Sequence, residues 1–267
     1  MEHALDDSDV EACPRLATGN TVVMKPPEDA PLSILHLAKL LQEAGVPNGV
    51  VSVLPGQGTV TGQALVDHAD VDKVSFTGSP EVGRRVGIAA SSSFKRMTLE
   101  LGGKSPQVIL ADADLEAAVA GTAMGLFFNQ GEVCAAGTRV PVHRSLYSDV
   151  VDALAGAASQ QVLGDPFDPA TTMGALINKR QQDGVLDYIN KGHAEGARLV
   201  AGGARLDCPG FFVQPTIFAD ADNEMTISRE EIFGPVGTVI PFDDPEEAIR
   251  IANTTGVYQG SWTDPPP

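Results

Sequence analysis

The chain has 267 residues and is 43% hydrophobic, enough for one large or two ordinary domains with buried cores. Its 18 Lys and Arg against 35 Asp and Glu leave a net charge of −17, which repels phosphate backbones and anionic lipid and so excludes nucleic acid and membrane surfaces as partners. No run approaches the roughly 20 apolar residues of a transmembrane helix, and the start (Glu2, Asp6, Asp7, Asp9) is too acidic for a signal peptide, so a cytosolic protein is expected.

From residue 20 to about 110, short β-branched runs alternate with helical patterns, the signature of right-handed βαβ units on a parallel sheet. Thr21 to Lys25 reads as a strand, and Ser33 onward as a helix with Ile34, Leu37 and Leu41 on one face, stopped by Gly45 and Pro47. Val50 to Leu54 is a second strand, Thr59 to His68 a helix, Lys73 to Phe76 a third strand and Pro80 to Ala90 a helix. A strand over Met97-Thr98-Leu99 follows, then a short strand at Gln107 to Leu110 and an alanine-rich helix from Asp114 to about Phe128. Thr138 to His143 is strand-like, Leu146 to Ala158 and Lys179 to His193 are helical, and Phe233 to Phe242 is an extended apolar run. Asp244-Pro245-Glu246-Glu247 supplies an N-cap acid, a proline at the first helical position and a glutamate three residues on, opening a helix through Ala252.

Three cysteines, Cys13, Cys134 and Cys208, lie far apart, without the paired spacing of a zinc site or the density of a disulfide scaffold, and no metal is expected. Cys13 and Cys208 read as structural or incidental, and His36, His68, His143 and His193 as surface or packing residues. Cys134 lies in Asn129-Gln130-Gly131-Glu132-Val133-Cys134-Ala135-Ala136-Gly137, just past an apolar helix and among small residues. On local sequence alone it is either a small buried core residue or a nucleophile. Glu100 follows the Met97 strand and precedes Leu101-Gly102-Gly103, where strands end and sites collect in such sheets. There it is either an exposed strand-end acid or a base whose apolar surround raises its pKa toward neutrality.

Met97-Thr98-Leu99-Glu100-Leu101-Gly102-Gly103-Lys104-Ser105-Pro106 resembles the glutamate signature of the aldehyde dehydrogenase superfamily, and the spacing to Cys134 fits. Four more segments fall in family order: Gly19 to Pro26, Phe76-Thr77-Gly78-Ser79, Asn129-Gln130-Gly131 leading to Cys134, and Glu230-Glu231-Ile232-Phe233-Gly234-Pro235-Val236. The resemblance covers about residues 16 to 255. It implies an α/β protein: an incomplete Rossmann-like, parallel-sheet NAD-binding domain over residues 1–102, and an α/β catalytic domain over 103–267 that lacks the family's C-terminal segment.

Position by position, the resemblance implies that Lys25 and Glu28 contact the adenosine ribose and that Ser79, after Gly78, meets the pyrophosphate at a helix N-terminus, where free amides and the dipole favour phosphate. A carboxylate at Glu28 accepts from a ribose hydroxyl and repels a 2′-phosphate, so NAD is expected over NADP. Glu231 is expected to hold the nicotinamide ribose and Phe233 to lie beside the nicotinamide. Gln181 stands at a position that reaches the cofactor, although Gly184 replaces the lysine of many members. Cys134 is expected to attack an aldehyde, giving a thiohemiacetal and then a thioester, which water activated by Glu100 hydrolyses. The partners implied are a small-molecule aldehyde and, by the family's habit, copies of the same chain.

The family's second oxyanion donor, an asparagine upstream of Gly19, has no counterpart, and residues 257–262 scramble the family pattern. Losing one such donor costs on the order of 3 kcal/mol of barrier. Two functional expectations therefore stand: an NAD-dependent aldehyde dehydrogenase, or a catalytically silent nucleotide-binding remnant of that family.

Overall fold

The computed structural model describes residues 14–254 and divides into two compact units, Met1–Leu101 and Gly102–Pro267. Cys13, the acidic start and residues 257–262 lie outside the described residues.

The first unit is built from two parallel strand pairs, each bridged by a crossover helix. Strand β1 (Val22–Met24) leads through helix α1 (Leu32–Glu43) to β2 (Val51–Val53), and the two strands pair in parallel. Helix α1 ends where Gly45, at φ 87°, lets the chain reverse: the Gly45 and Val46 amides donate to the carbonyls of Gln42 and Leu41, satisfying the last turn. Glycine is required there because a side chain at that φ is strained.

The region read as one helix from Thr59 is instead a π-helical turn (Gly58–Gly62) followed by α2 (Gln63–Asp67). Glu28 takes the Gly58 amide at 2.6 Å, and the Gln57 carbonyl accepts from Val60, Thr61 and Gly62, which widens the first turn.

Strand β3 (Lys73–Gly78), helix α3 (Pro80–Ser92) and β4 (Arg96–Leu101) form the second parallel pair. The Met97 strand runs on past Leu99 because β3 continues to Gly78, so Glu100 lies within the ladder opposite Thr77.

The second unit is a four-stranded sheet with helices on both faces. Helix α4 (Leu115–Phe127) precedes β5 (Arg139–His143), α5 (Tyr147–Ser159), α6 (Lys179–Ala194), β6 (Arg198–Ala201), β7 (Thr216–Ala219), α7 (Thr226–Arg229), β8 (Val236–Phe242) and α8 (Pro245–Asn253). The strand order is β5-β8-β7-β6. Strand β8 is parallel to β5 and β7, whereas β6 pairs antiparallel at the edge. Every residue of β8 except Pro241 is buried, as a central strand covered on both faces demands. Along β7 the alternation separates two cores: Ile217 and Ala219 join Leu126, Val150 and Leu154, while Phe218 joins Val185, Ile189 and Ile227.

Two further expectations are corrected. Residues 107–110 form no continuous strand; two isolated bridges, Pro106 to Arg139 and Ile109 to Val142, run beside β5, and although Gln107 and Ile109 donate to the Arg139 and Pro141 carbonyls, Pro141 has no amide to return a bond to residue 107. The extended run from Phe233 becomes a strand only at Val236, since Phe233 sits at φ 54°. The helix caps read from Asp114 and Asp244 are both made: each side chain accepts from the amide three residues on, Ala117 at 2.9 Å and Glu247 at 2.8 Å. No helix among the described residues is long and apolar enough to cross a membrane.

Candidate active site

Within the first unit, the loop after β1 brings Lys25 and Glu28 to the π-helical turn. Glu28 is exposed; one of its oxygens holds the Gly58 amide. The Lys25 stem packs toward Gly62, and its ammonium donates to the Pro26 carbonyl at 2.8 Å. Beside Glu28 opens a shallow cavity of about 220 Å³ walled by Pro27, Pro31, Pro55, Gly56 and Gln57. Ser79 starts α3: its hydroxyl accepts from Val82 at 3.4 Å, Pro80 takes the first helical position, and both Gly78 and Ser79 are exposed. Glu100 is also exposed, near the end of β4.

In the second unit, Cys134 lies half-buried on a turn closed by the Ala136 amide and the Val133 carbonyl at 3.1 Å. That turn follows three successive left-handed residues, Asn129 (φ 49°), Gln130 (φ 59°) and Gly131 (φ 70°). Two of the three are not glycine, a strained backbone that surrounding contacts must enforce. They do: a Cβ at Gly131 would collide with the Gly234 carbonyl, Asn129 donates to the Glu132 carbonyl at 3.0 Å, and Gln130 accepts from Gly174 at 3.4 Å.

Glu231 and Phe233 belong to the loop on which Gly131 rests, so this unit draws the Cys134 turn and the Glu231 loop together. Gln181, in the first turn of α6, donates to the carbonyls of Ile232 at 3.1 Å and Phe233 at 2.6 Å. Its amide thus pins the left-handed Phe233. Gly184 is exposed with open space around it.

Several contributors were not foreseen from the sequence. Glu132 is buried and accepts from the Ile177 amide at 3.2 Å, and burial pushes its carboxyl pKa up. Gln107 donates to the Gly137 carbonyl at 2.6 Å, behind the Cys134 turn. Lys104 is 1% exposed, and its pKa is lowered to about 7 by burial first and by Arg139 next, with Glu231 opposing. Arg139, fully buried, donates to Asn223, Ile251, Ala252 and Thr254, gathering the end of α8. The signal for Lys104 lay in its setting, a lysine inside Gly-Gly-Lys-Ser-Pro where glycines permit close packing. Among the described residues no three His, Cys, Asp or Glu side chains gather as a metal site.

The family model described as the aldehyde dehydrogenase family matches residues 9–262. The chain belongs to the aldehyde dehydrogenase family. It is 47% identical over 253 residues to aldehyde dehydrogenase 1A1 of Equus caballus, covering 94% of this chain and 50% of that protein. Against retinal dehydrogenase 2 of Homo sapiens it is 48% identical over 243 residues, 91% of this chain and 47% of the other. The solved NAD+ complex of an aldehyde dehydrogenase from Bacillus cereus superposes with a TM-score of 0.90 at 51% identity, over 94% of this chain and 51% of that one. The chain thus spans about half the length of these family members.

Proposed function

We propose that the chain supplies the cofactor-binding and nucleophile-bearing part of a cytosolic, NAD-dependent aldehyde dehydrogenase that converts an aldehyde to a carboxylic acid. In this reading residues 1–102 are part of the NAD-binding domain and 103–267 of the catalytic domain. The partners are a small-molecule aldehyde and copies of the same chain. The observation that carries the reading is the Cys134 turn, which follows a strained left-handed run braced on the Glu231 and Phe233 loop. Strain held in place by packing is characteristic of functional sites.

The residues present fit the cofactor. Glu28 borders a cavity with three proline walls suited to a flat ring, and the start of α3 at Ser79 offers amides to a pyrophosphate. Lys25 and Glu28 would hold the adenosine ribose, Gly78 and Ser79 the pyrophosphate, and Glu231 and Phe233 the nicotinamide riboside, with Gln181 bracing the last pair.

The Cys134 thiolate adds to the carbonyl carbon; a C–S bond forms and the π pair moves to oxygen. NAD, when bound, supplies the acceptor for the hydride that then leaves this carbon. The carbonyl re-forms and an acyl thioester remains on Cys134. Glu100 takes a proton from water as the water oxygen attacks the thioester, the C–S bond breaks, and the acid departs from a restored thiolate.

One observation favours the second reading, a silent remnant: Leu32 at 78%, Ile88 at 67% and Phe94 at 97% exposure leave apolar surface in the first unit for which a complete core has use. Following NADH formation with a simple aliphatic aldehyde separates the two. Steady NADH production that disappears in Cys134→Ala supports the dehydrogenase, and production no greater than that of Cys134→Ala supports the remnant.

A further inference from the structure

The stretch that carries Cys134 enters and leaves its turn through different anchors. On the entry side Gly131 rests against the Gly234 carbonyl. On the exit side the Thr138 carbonyl accepts from the Thr238 amide of β8 at 2.9 Å, and the Gly137 carbonyl accepts from the Gln107 side chain at 2.6 Å. Gly137 is buried, so its carbonyl needs a protein partner, and Gln107 supplies one from 30 residues upstream.

Gln107 is itself tied down at both ends. Its backbone amide donates to the Arg139 carbonyl of β5 at 2.8 Å, and its side-chain Nε2 also donates to the Thr122 carbonyl of α4 at 3.4 Å. Two carbonyls around one nitrogen set the orientation of the amide, because only its NH2 end can face both. Two glycines make room for it. A Cβ at Gly137 would collide with the Gln107 Cγ, and one at Gly125, inside α4, would stand 2.7 Å from its Nε2. Neither glycine has a positive φ, so close approach rather than backbone conformation is what favours glycine at both. In the helix that choice is destabilising relative to alanine, and the seated amide is what it gains.

From this we infer that Gln107 is a positioning residue: its amide clasps the exit of the Cys134 turn to α4 and so fixes where the thiol stands. The turn in between is tight, with the Ala136 amide on the Val133 carbonyl at 3.1 Å and the Thr138 amide on the Ala136 carbonyl at 3.0 Å. A displacement at Gly137 is therefore passed to Cys134 along the backbone. The effect on rate rests on the reading of Cys134 as the nucleophile, whereas the clasp is a property of the fold.

Two measurements on the whole chain test it. Gln107→Met keeps the length of the side chain and removes both donors. Amide hydrogen exchange read by mass spectrometry is expected to quicken at residues 133–138 by at least about fivefold, the cost of stranding a buried carbonyl, with α5 and β8 within about twofold of wild type. Leu154→Ala, buried on α5 away from the clasp, controls for general loosening. Gly125→Ala attacks the same amide from α4 and serves should Gln107→Met not fold; it too is expected to quicken exchange at residues 133–138. Exchange there that stays at the wild-type rate, or that rises only in step with the rest of the second unit as in Leu154→Ala, overturns the proposal whether or not the chain oxidises an aldehyde. The second measurement is the NADH burst with a simple aliphatic aldehyde. Misplacing the thiol is expected to lower the rate constant of the burst by about 10- to 100-fold at unchanged amplitude, whereas loss of folded protein lowers the amplitude alone. A wild-type rate constant in Gln107→Met overturns the positioning role. If the wild type forms no NADH, the dehydrogenase reading fails, and the exchange experiment alone decides whether Gln107 holds the turn.

Discussion

Glu28 reaches from an exposed loop to a single amide, whereas Gln181 spans two carbonyls from a helix that is itself closed at both ends. At the N-terminus of α6, Asn178 accepts from Gln181 at 2.8 Å, and at its C-terminus Gly196 and Ala197 return their amides to His193 and Gly192. The contrast runs through the molecule. Among the described residues of the first unit the buried apolar side chains are few and mostly small, Ala30, Ile34, Val66, Val86 and Ala90. The second unit has two cores, one on each face of its sheet, and the Cys134 turn and Glu231 loop are packed into that framework. Under the proposed function, residues that grip a cofactor's ribose and phosphates need only be reachable, while a nucleophile that follows a left-handed run has to be held against strain. The second task requires a core.

The sharpest way to break this comparison is Glu100→Gln. Glu100 is exposed on β4, so its replacement should leave unfolding free energy within about 0.5 kcal/mol of wild type. Its effect should fall on chemistry alone. Loss of general-base assistance is expected to slow steady NADH production by about 10²–10⁴-fold, while the first turnover, which needs Cys134 and the cofactor but not the hydrolytic water, still gives a burst. Rapid mixing with an aldehyde reads both phases. A normal burst followed by normal turnover removes Glu100 from the mechanism.

A second comparison sets Leu154→Ala against Ile88→Ala. Leu154 is fully buried on α5, and its truncation is expected to cost about 2–5 kcal/mol. Ile88 is 67% exposed on α3, and the same change there should cost less than about 0.5 kcal/mol. Urea unfolding followed by circular dichroism provides both numbers. Equal costs would show that Ile88 is buried in solution and that the first unit is better packed than its surface implies.

The third prediction is a pH slope. Lys104 in the folded protein titrates at about 7, well below an ordinary lysine. Between about pH 10 and 7 the unfolded chain gains a proton at this position that the folded chain does not, so stability falls as pH drops through that window and levels off below it. The slope from one such group is at most about 1.4 kcal/mol per pH unit. Lys104→Met should remove it. A variant that keeps the wild-type slope would assign the proton to another group.

Much of the local structure was legible because the signals were chemical. Asp244-Pro245 with Glu247 states the start of α8 outright, and Gly45 the end of α1. Strands β6 and β7 were not legible: each is four residues long, and β6 runs straight into Gly202-Gly203, so neither alternation nor length marks them. At the site, the motifs marked the Cys134 turn and the Glu231 loop, and the fold places these two together. The motifs were silent on what braces them. Glu132 and Gln107 act through partners distant in sequence, which periodicity does not encode. Gln181, assigned to the cofactor by resemblance, has its amide nitrogen on the carbonyls of Ile232 and Phe233, which no motif indicated.

The smallest expected effect belongs to Glu28, the exposed half of the comparison. Its carboxylate already accepts from the Gly58 amide with one oxygen, and glutamine keeps a carbonyl oxygen for that bond. Glu28→Gln should therefore preserve the π-helical turn, and with it the melting temperature, while removing the negative charge. For NAD the change weakens a hydrogen bond from a ribose hydroxyl, worth about 0.5–1.5 kcal/mol. For NADP it also removes repulsion of the 2′-phosphate, which at an exposed site is screened by water and salt. Both terms move discrimination in one direction, so the NAD-to-NADP affinity ratio should fall by roughly three- to tenfold, which corresponds to the same 0.5–1.5 kcal/mol. Parallel titrations with the two cofactors at low and high salt measure it. The shift should shrink at high salt, since only the repulsive part is electrostatic at long range. An unchanged ratio would place the ribose elsewhere and leave Glu28 with the turn at Gly58 as its whole role.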